Sequence, residues 1–576
     1  MAEDPNQITF FAQTNSRGSS MPFGIKRKDR ARHMYVIGKT GMGKSTLLEN
    51  MAIQDIRNGE GIAFIDPHGS TADRIMEYVP AHRVKDVVYF APFDMDHPVA
   101  FNVMEDVGYD KRHLVVSGLL SAFRKIWVDA WSARMEYILS NTLLALLEYP
   151  GATLLDVNRM LINKAFRKKV VDNVKDPLVK SFWVDEFANY TDRYTQDATP
   201  AIQNKVGQFT SNPLIRNIVG QPKSSFDIRK LMDEKKILIM NLSKGRVGEV
   251  NATLLGSMLV TKIYLAAMSR ADVPLEVMNK LPNFYFYVDE FQNFANESFS
   301  DILSEARKYK LNLLIAHQYV EQMEEEVRDA VFGNVGTTVA FRVGPFDAEV
   351  LETIFNPQFT ATDLVNLGFA QVYLTLMIDG VGSPPFSATT LPPFDPPPER
   401  FVPQVLEASR AAYGKPRAQV ETAIDEWNKL ETFVPETKPK KDYRPAPKAA
   451  SAPVSAPAHP VHHPTPEVKK EVAVLHKAAA APAAPVTRQP APATYSQPVK
   501  PPLGGAKSLR EALQMATGTK TPPHAKDLKE TLGRLAPEAA KPKPEHAPAL
   551  KHPQPPELSQ EKLREMLAVE PLDNAA

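Results

Sequence analysis

Along residues 1–400, short apolar runs alternate with stretches whose apolar positions recur at helical spacing. The runs Tyr35–Ile37, Ile62–Ile65, Val87–Phe90, Ile237–Asn241, Phe284–Val288, Leu311–Ala316, Thr337–Phe341 and Val372–Met377 read as strands. Several lack any polar alternation, the pattern of parallel strands covered by helices on both faces. Asp379-Gly380 is a turn signal that makes Val372–Met377 and Phe386–Thr390 the arms of a closing hairpin. Between Lys111 and Arg229 no strand pattern stands out; helical text such as Met135–Leu139 and Leu143–Leu147 fills that stretch. The predicted fold is α/β: a mostly parallel sheet built from residues 31–110 and 230–395, interrupted by an all-helical insertion, 111–229. An N-terminal segment, 1–30, precedes it, and a short helical extension, 396–435, follows.

Composition changes the picture beyond that point. Residues 401–576 hold 28 of the 50 prolines, and from about Glu436 the text turns to Pro, Ala, Lys and His, too poor in large apolar residues to bury a core. The tail 436–576 is expected to be disordered and carries a net charge of +7, which leaves −6 for the body. An acidic body must meet any nucleic acid through a local basic surface. The absence of cysteine excludes disulfides and Cys-based metal sites or nucleophiles, and fits a reducing cytoplasm. No apolar run approaches the roughly eighteen residues of a transmembrane helix. The N-terminus is acidic and polar where a signal peptide would be basic and then apolar.

The chemistry begins at Gly38-Lys39-Thr40-Gly41-Met42-Gly43-Lys44-Ser45, followed by Thr46. It matches G-x-x-x-x-G-K-[ST] and stands between a strand and a helix, the context a phosphate-binding loop requires. Glycines let backbone N–H groups curl around phosphates, and the helix N-terminus adds positive potential. Lys44 is expected to reach the β- and γ-phosphates of ATP, and Ser45 to hold Mg²⁺. A second element, Phe284-Tyr285-Phe286-Tyr287-Val288, runs directly into Asp289-Glu290. A buried strand ending in two carboxylates suits metal-assisted hydrolysis, with Asp289 supporting Mg²⁺ and Glu290 polarising the attacking water.

With Asp29-Arg30-Ala31-Arg32-His33, Ile65-Asp66-Pro67-His68-Gly69, Phe101-Asn102, Trp131–Glu136, Asn241–Gly245, Val288–Phe291, Ser304–Tyr309 and His317-Gln318 in that order, the chain resembles the HerA/FtsK-type branch of RecA-like P-loop motors. Within that branch it is most similar to type IV secretion coupling proteins of the TraG/TraD kind, over most of residues 24–395. The resemblance implies a RecA-like core, ATP hydrolysis, a hexameric ring, and DNA moved or delivered to a secretion channel. It gives Gln318 a role as reporter of the γ-phosphate at the strand end facing the nucleotide crevice. It gives Arg307 a role as a finger reaching a neighbouring subunit's γ-phosphate, with Arg134 and Arg342 as rivals. Such proteins begin with membrane-spanning helices, whereas the phosphate loop here follows 37 residues. The expectation is a cytoplasmic enzyme without its own transmembrane helix, either working free in the cytoplasm or reaching the membrane through a partner.

Other residues keep two readings. Asp66 and His68 could contact nucleotide or metal at the sheet's switch point, but a turn in which Asp66 accepts backbone N–H bonds is the simpler account. The cluster Lys164, Arg167, Lys168 and Lys169 could supply sequence-independent DNA contacts or be a solvated helix face. In the tail, stretches from Ser508, Asp527 and Leu563 carry short apolar stripes able to dock on a secretion or membrane partner. Two rivals to the DNA motor stand beside it: an ATPase that remodels or exports protein, and a nucleotide-gated scaffold.

Overall fold

The computed structural model describes residues 4–15, 20–295 and 298–429, with the side chains of 192–198 and 298 excepted. The tail 436–576, including the stretches from Ser508, Asp527 and Leu563 singled out above, lies outside the described residues, as does the end of the 396–435 extension.

The strands are β1 (Ile8–Thr14), β2 (Pro22–Lys26), β3 (Met34–Ile37), β4 (Gly61–Asp66), β5 (Val87–Phe90), β6 (Ile237–Asn241), β7 (Phe284–Val288), β8 (Leu311–His317), β9 (Thr337–Ala340), β10 (Gln371–Thr375), β11 (Met377–Ile378), β12 (Val381–Gly382) and β13 (Phe386–Thr390). Eleven of them form one sheet in the order β2-β1-β13-β10-β9-β3-β8-β7-β4-β6-β5. From β9 to β5 every pairing is parallel, and from β2 to β10 the strands run antiparallel to their neighbours. This is a RecA-like architecture. The period of two decides which core each residue enters. Met34 and Val36 of β3 join a core with α1 (Lys44–Arg57) and α2 (Ser70–Glu77). Tyr35 and Ile37 enter the opposite core with α3 (Arg112–Ile126), α4 (Ala133–Glu148) and the helix Glu249–Met268.

Helices fill the span between Arg112 and Asp233 among the described residues, and their apolar faces share that second core with the sheet. Ser132 caps α4 by accepting from the Met135 N–H at 3.3 Å. Gly118 lets α3 lie close to the helix Glu249–Met268: a Cβ there would stand 2.5 Å from Thr261 Cγ2. The stretch Glu249–Asp272 has the length and apolar composition of a membrane span, yet 72% of its apolar 18-residue window is buried inside the protein. It works here as a core helix.

Two elements differ from the sequence reading. The N-terminal segment contributes β1 and β2, which extend the sheet beyond β13. A bulge between Phe10 and Ala12 breaks the period-two signal there. The run Val372–Met377 is split: β10 pairs with β9 and β13, and β11 pairs with β12 around Asp379-Gly380, both at positive φ.

Asp29, Arg30 and His33 hold structural positions. Arg30 is buried and grips both carboxylate oxygens of Asp55 on α1, at 2.7 and 2.8 Å. Its guanidinium lies 3.6 Å above the Tyr285 ring and donates to the Tyr287 hydroxyl at 2.9 Å. Asp29 accepts the N–H groups of Asp379 and Gly380, and His33 Nδ1 accepts from Leu313 N–H. The cluster fixes α1 against β7, the elements that carry the two motifs.

Burial pushes His33 down to about 4 and His317 to about 3, with Arg307 reinforcing the first shift and Lys44 and Lys125 the second. Both fold as neutral imidazoles, while the unfolded chain takes up protons below about 6.5. Their stabilisation is complete above that pH and is lost as pH falls toward the folded values, at about 1.4 kcal/mol per histidine per unit. Chemical denaturation between pH 7 and 5 should show this loss, and His33→Gln should reduce its slope.

Candidate functional site

The phosphate loop is stitched to the sheet on both sides. Gly38 N–H donates to His317 O at 3.2 Å and Lys39 N–H to Arg342 O at 2.8 Å, joining the loop to the ends of β8 and β9. Gly41 and Gly43 sit at φ 77° and 116°, backbone that a Cβ would strain. Buried Phe341 backs the loop, packed against Gly38 and Gly43. Lys44 opens α1, and its ammonium donates to the carbonyls of Gly38 at 2.7 Å and Lys39 at 3.3 Å, so the loop curls around its own cation. No side chain caps α1, which leaves its first-turn N–H groups for a ligand; Ser45 and Thr46 lie in that turn.

Five consecutive buried residues of β7 deliver Asp289 and Glu290 to the same edge. Asp289 Oδ2 accepts from Ser45 Oγ at 2.8 Å, which joins the two motifs directly. Burial raises Asp289 to about 6; the Ser45 bond and Lys44 oppose the shift, and Asp66 and Glu290 add to it. Burial likewise lowers Lys44, against the pull of Glu290 and Asp289. Two carboxylates thus face one lysine, and a divalent cation beside Ser45 and Asp289 would supply the missing positive charge. Glu290 adopts φ 49°, ψ 52°, a left-handed conformation that costs a non-glycine residue on the order of 1 kcal/mol and persists only when its surroundings hold it.

Strand β8 lies between β3 and β7, so Gln318 emerges between the loop and the carboxylates. Its Oε1 accepts from Thr40 Oγ1 at 3.0 Å, and its Nε2 donates to Glu290 Oε1 at 2.5 Å. Gln292 donates to the other Glu290 oxygen. The structure therefore gathers residues 38–46, Asp289, Glu290 and Gln318 at one edge.

Arg307 is not among them. It is exposed in the turn before β8, at the opposite edge beside His33. Of its rivals, Arg342 borders the loop through its own carbonyl, and Arg134 is exposed on α4. Asp66 accepts from the N–H groups of His68, Thr71 and Ala72 at 2.7, 2.9 and 3.0 Å, the turn geometry. Among the described residues, no group of three His, Asp or Glu stands where it could hold a metal. The basic cluster is not intact: Arg167 folds inward to the carbonyls of Met160 and Leu161 and over the Phe187 ring, and Lys168 pairs with Asp172 at 2.6 Å. Sequence reasoning missed Gln292 and Phe341; an amide two residues past a carboxylate pair and a strand-end phenylalanine carry no signal of their own.

A phosphate loop, a strand ending in paired carboxylates and an amide strand set between them on a mostly parallel sheet define a nucleotide-binding P-loop ATPase. The family model for the type IV secretion-system coupling protein DNA-binding domain matches residues 19–352, more than half of the chain, and the chain belongs to that family. Among solved structures, plasmid coupling protein TrwB in complex with ADP and Mg²⁺ is 14% identical, covering 70% of this chain and 99% of that one, with a TM-score of 0.49. VirB4 of Thermoanaerobacter pseudethanolicus is 12% identical over 70% of this chain and 99% of its own, with a TM-score of 0.48. None of the curated proteins compared matches this sequence.

Proposed function

We propose that the chain is an ATP-hydrolysing motor of the type IV secretion coupling kind, which assembles as a hexameric ring and translocates DNA or DNA–protein substrates. The observation that carries this reading is the bridge Thr40–Gln318–Glu290, which links the phosphate loop to the carboxylate that this reading makes the activator of water. The loop N–H groups and Lys44 bind the ATP phosphates, and Ser45 with Asp289 holds Mg²⁺, which when bound neutralises charge on the phosphates. Glu290 accepts a proton from the attacking water. Gln318, bonded to both sides, shifts partner as the γ-phosphate comes and goes and passes that change to β8. In this reading DNA is held by phosphate contacts without sequence preference, and the 436–576 tail recruits a membrane or secretion partner to the cytoplasmic enzyme.

The test is ATP turnover by purified protein with and without DNA, beside a Lys44→Ala control. Turnover stimulated by DNA and abolished in the control supports the motor. DNA-independent turnover points to a protein-moving ATPase, and very slow turnover unaffected by DNA to a nucleotide-gated scaffold. Lys44→Ala removes the charge that offsets the β- and γ-phosphates, so nucleotide affinity should fall at least tenfold in a fluorescent-nucleotide titration. Membrane co-fractionation of the full chain, lost when it ends at residue 435, is the corresponding check on the tail.

A further inference from the structure

The turn that follows Glu290 is held from outside the nucleotide edge. Lys125, near the end of α3, donates its ammonium to the carbonyl of Gln292 at 2.6 Å and also to that of Ala295. Lys244, just beyond β6, donates to Asn293 Oδ1 at 2.8 Å, and Asn293 Nδ2 donates to the Glu290 carbonyl at 2.9 Å. Gln292 closes the chain of contacts by donating to the Glu290 carboxylate. Residues 290–295 thus form a turn gripped by two cations from separate elements. Glu290 needs such a grip, since its left-handed backbone is held only by what surrounds it.

We propose that Lys125 and Lys244 are positioning residues for Glu290: they clasp the turn that aims its carboxylate, and Lys125 makes hydrolysis answer to the position of α3. The proposal rests on the reading of Glu290 as the residue that activates water. Neither lysine hydrogen-bonds the phosphate loop; each reaches Glu290 through the backbone or side chain of one of its neighbours. The route from α3 is direct. The helix packs along Glu249–Met268 and ends at Trp127, after which Val128 is exposed. Because the Lys125 ammonium holds the Gln292 and Ala295 carbonyls, a shift of this end of α3 would be carried to the turn that follows Glu290. If Lys125 merely filled space beneath α3, its loss would lower stability and leave the chemical step of folded protein unchanged.

The experiment is Lys125→Met in the full chain, which keeps most of the stem and removes the ammonium. The rate constant kcat should fall on the order of tenfold to a hundredfold, while KM and the Kd of a non-hydrolysable ATP analogue stay within twofold. Lys125→Arg should recover part of the loss. In a Glu290→Gln background, Lys125→Met should not change the residual turnover, because the carboxylate it positions is gone. A kcat within twofold of wild type would overturn the proposal, and so would an equal loss in both backgrounds. Should Lys125→Met fail to fold, Lys244→Met decides, since that ammonium grips the same turn from a separate element. A fall in kcat at constant KM is expected there, and an unchanged kcat overturns the proposal. Glu290→Gln turning over at the wild-type rate would sink the Glu290 reading itself, whereas an inactive Glu290→Gln beside a wild-type Lys125→Met sinks only the clasp.

Discussion

Glu290→Gln is expected to bind ATP as the wild type does and to hydrolyse it about 10²- to 10⁴-fold more slowly, the range lost when a positioned general base is removed. The substitution keeps the shape of the side chain and removes its capacity to take a proton. Two amides now donate to the carboxylate, Gln318 to one oxygen and Gln292 to the other. A glutamine at 290 can accept from only one of them and must turn its own N–H group toward the second. The variant should therefore lose stability as well, by roughly 1 kcal/mol for the spoiled hydrogen bond. Nucleotide affinity by titration and single-turnover hydrolysis separate these effects. Hydrolysis at the wild-type rate would show that another group activates the water, and would leave the Thr40–Gln318–Glu290 bridge as a structural contact.

The sequence made the parallel core legible because its strands are buried on both faces and so appear as unbroken apolar runs, as in Phe284–Val288 with all five residues buried. The phosphate loop was legible because its chemistry is local: glycines, a lysine and a hydroxyl must follow one another to surround a phosphate. β1 and β2 were not legible, since the bulge near Phe11 shifts the alternation by one residue midway. The role of Arg30 was also hidden. It reads as one basic residue among several, and only the fold brings Asp55, Tyr285 and Tyr287 around it. The same holds for the contact of Lys125 with Gln292, partners 167 residues apart. Arg167 shows the opposite failure. Charge spacing suggested an outward face, but two carbonyls and the Phe187 ring offered the guanidinium a better partnership inside. Local patterns disclose what adjacent residues must do together, while long-range polar partnerships depend on topology.

Arg307→Ala is expected to leave ATP binding intact and to reduce hydrolysis about 10³-fold or more, the range associated with an arginine finger. Strand β8 separates Arg307 from Gln318, and its seven residues at about 3.3 Å each make that distance roughly 20 Å. No rotamer of an arginine spans this gap, so any action on a γ-phosphate must fall on a neighbouring subunit. A head-to-tail ring meets that condition by setting one subunit's Arg307 edge against the next subunit's phosphate-loop edge. Mixing Arg307→Ala with Glu290→Gln then has a specific consequence. Each variant alone lacks one half of every site, while mixed rings contain interfaces that pair an intact Glu290 with an intact Arg307. Turnover of the mixture should rise above that of either component and peak near equal proportions. Arg342→Ala and Arg134→Ala, mixed with Glu290→Gln in the same way, test the rival fingers. Co-assembled rings that show no rescue with Arg307→Ala would remove it from the site, and rescue by Arg134→Ala or Arg342→Ala would transfer the role to that residue.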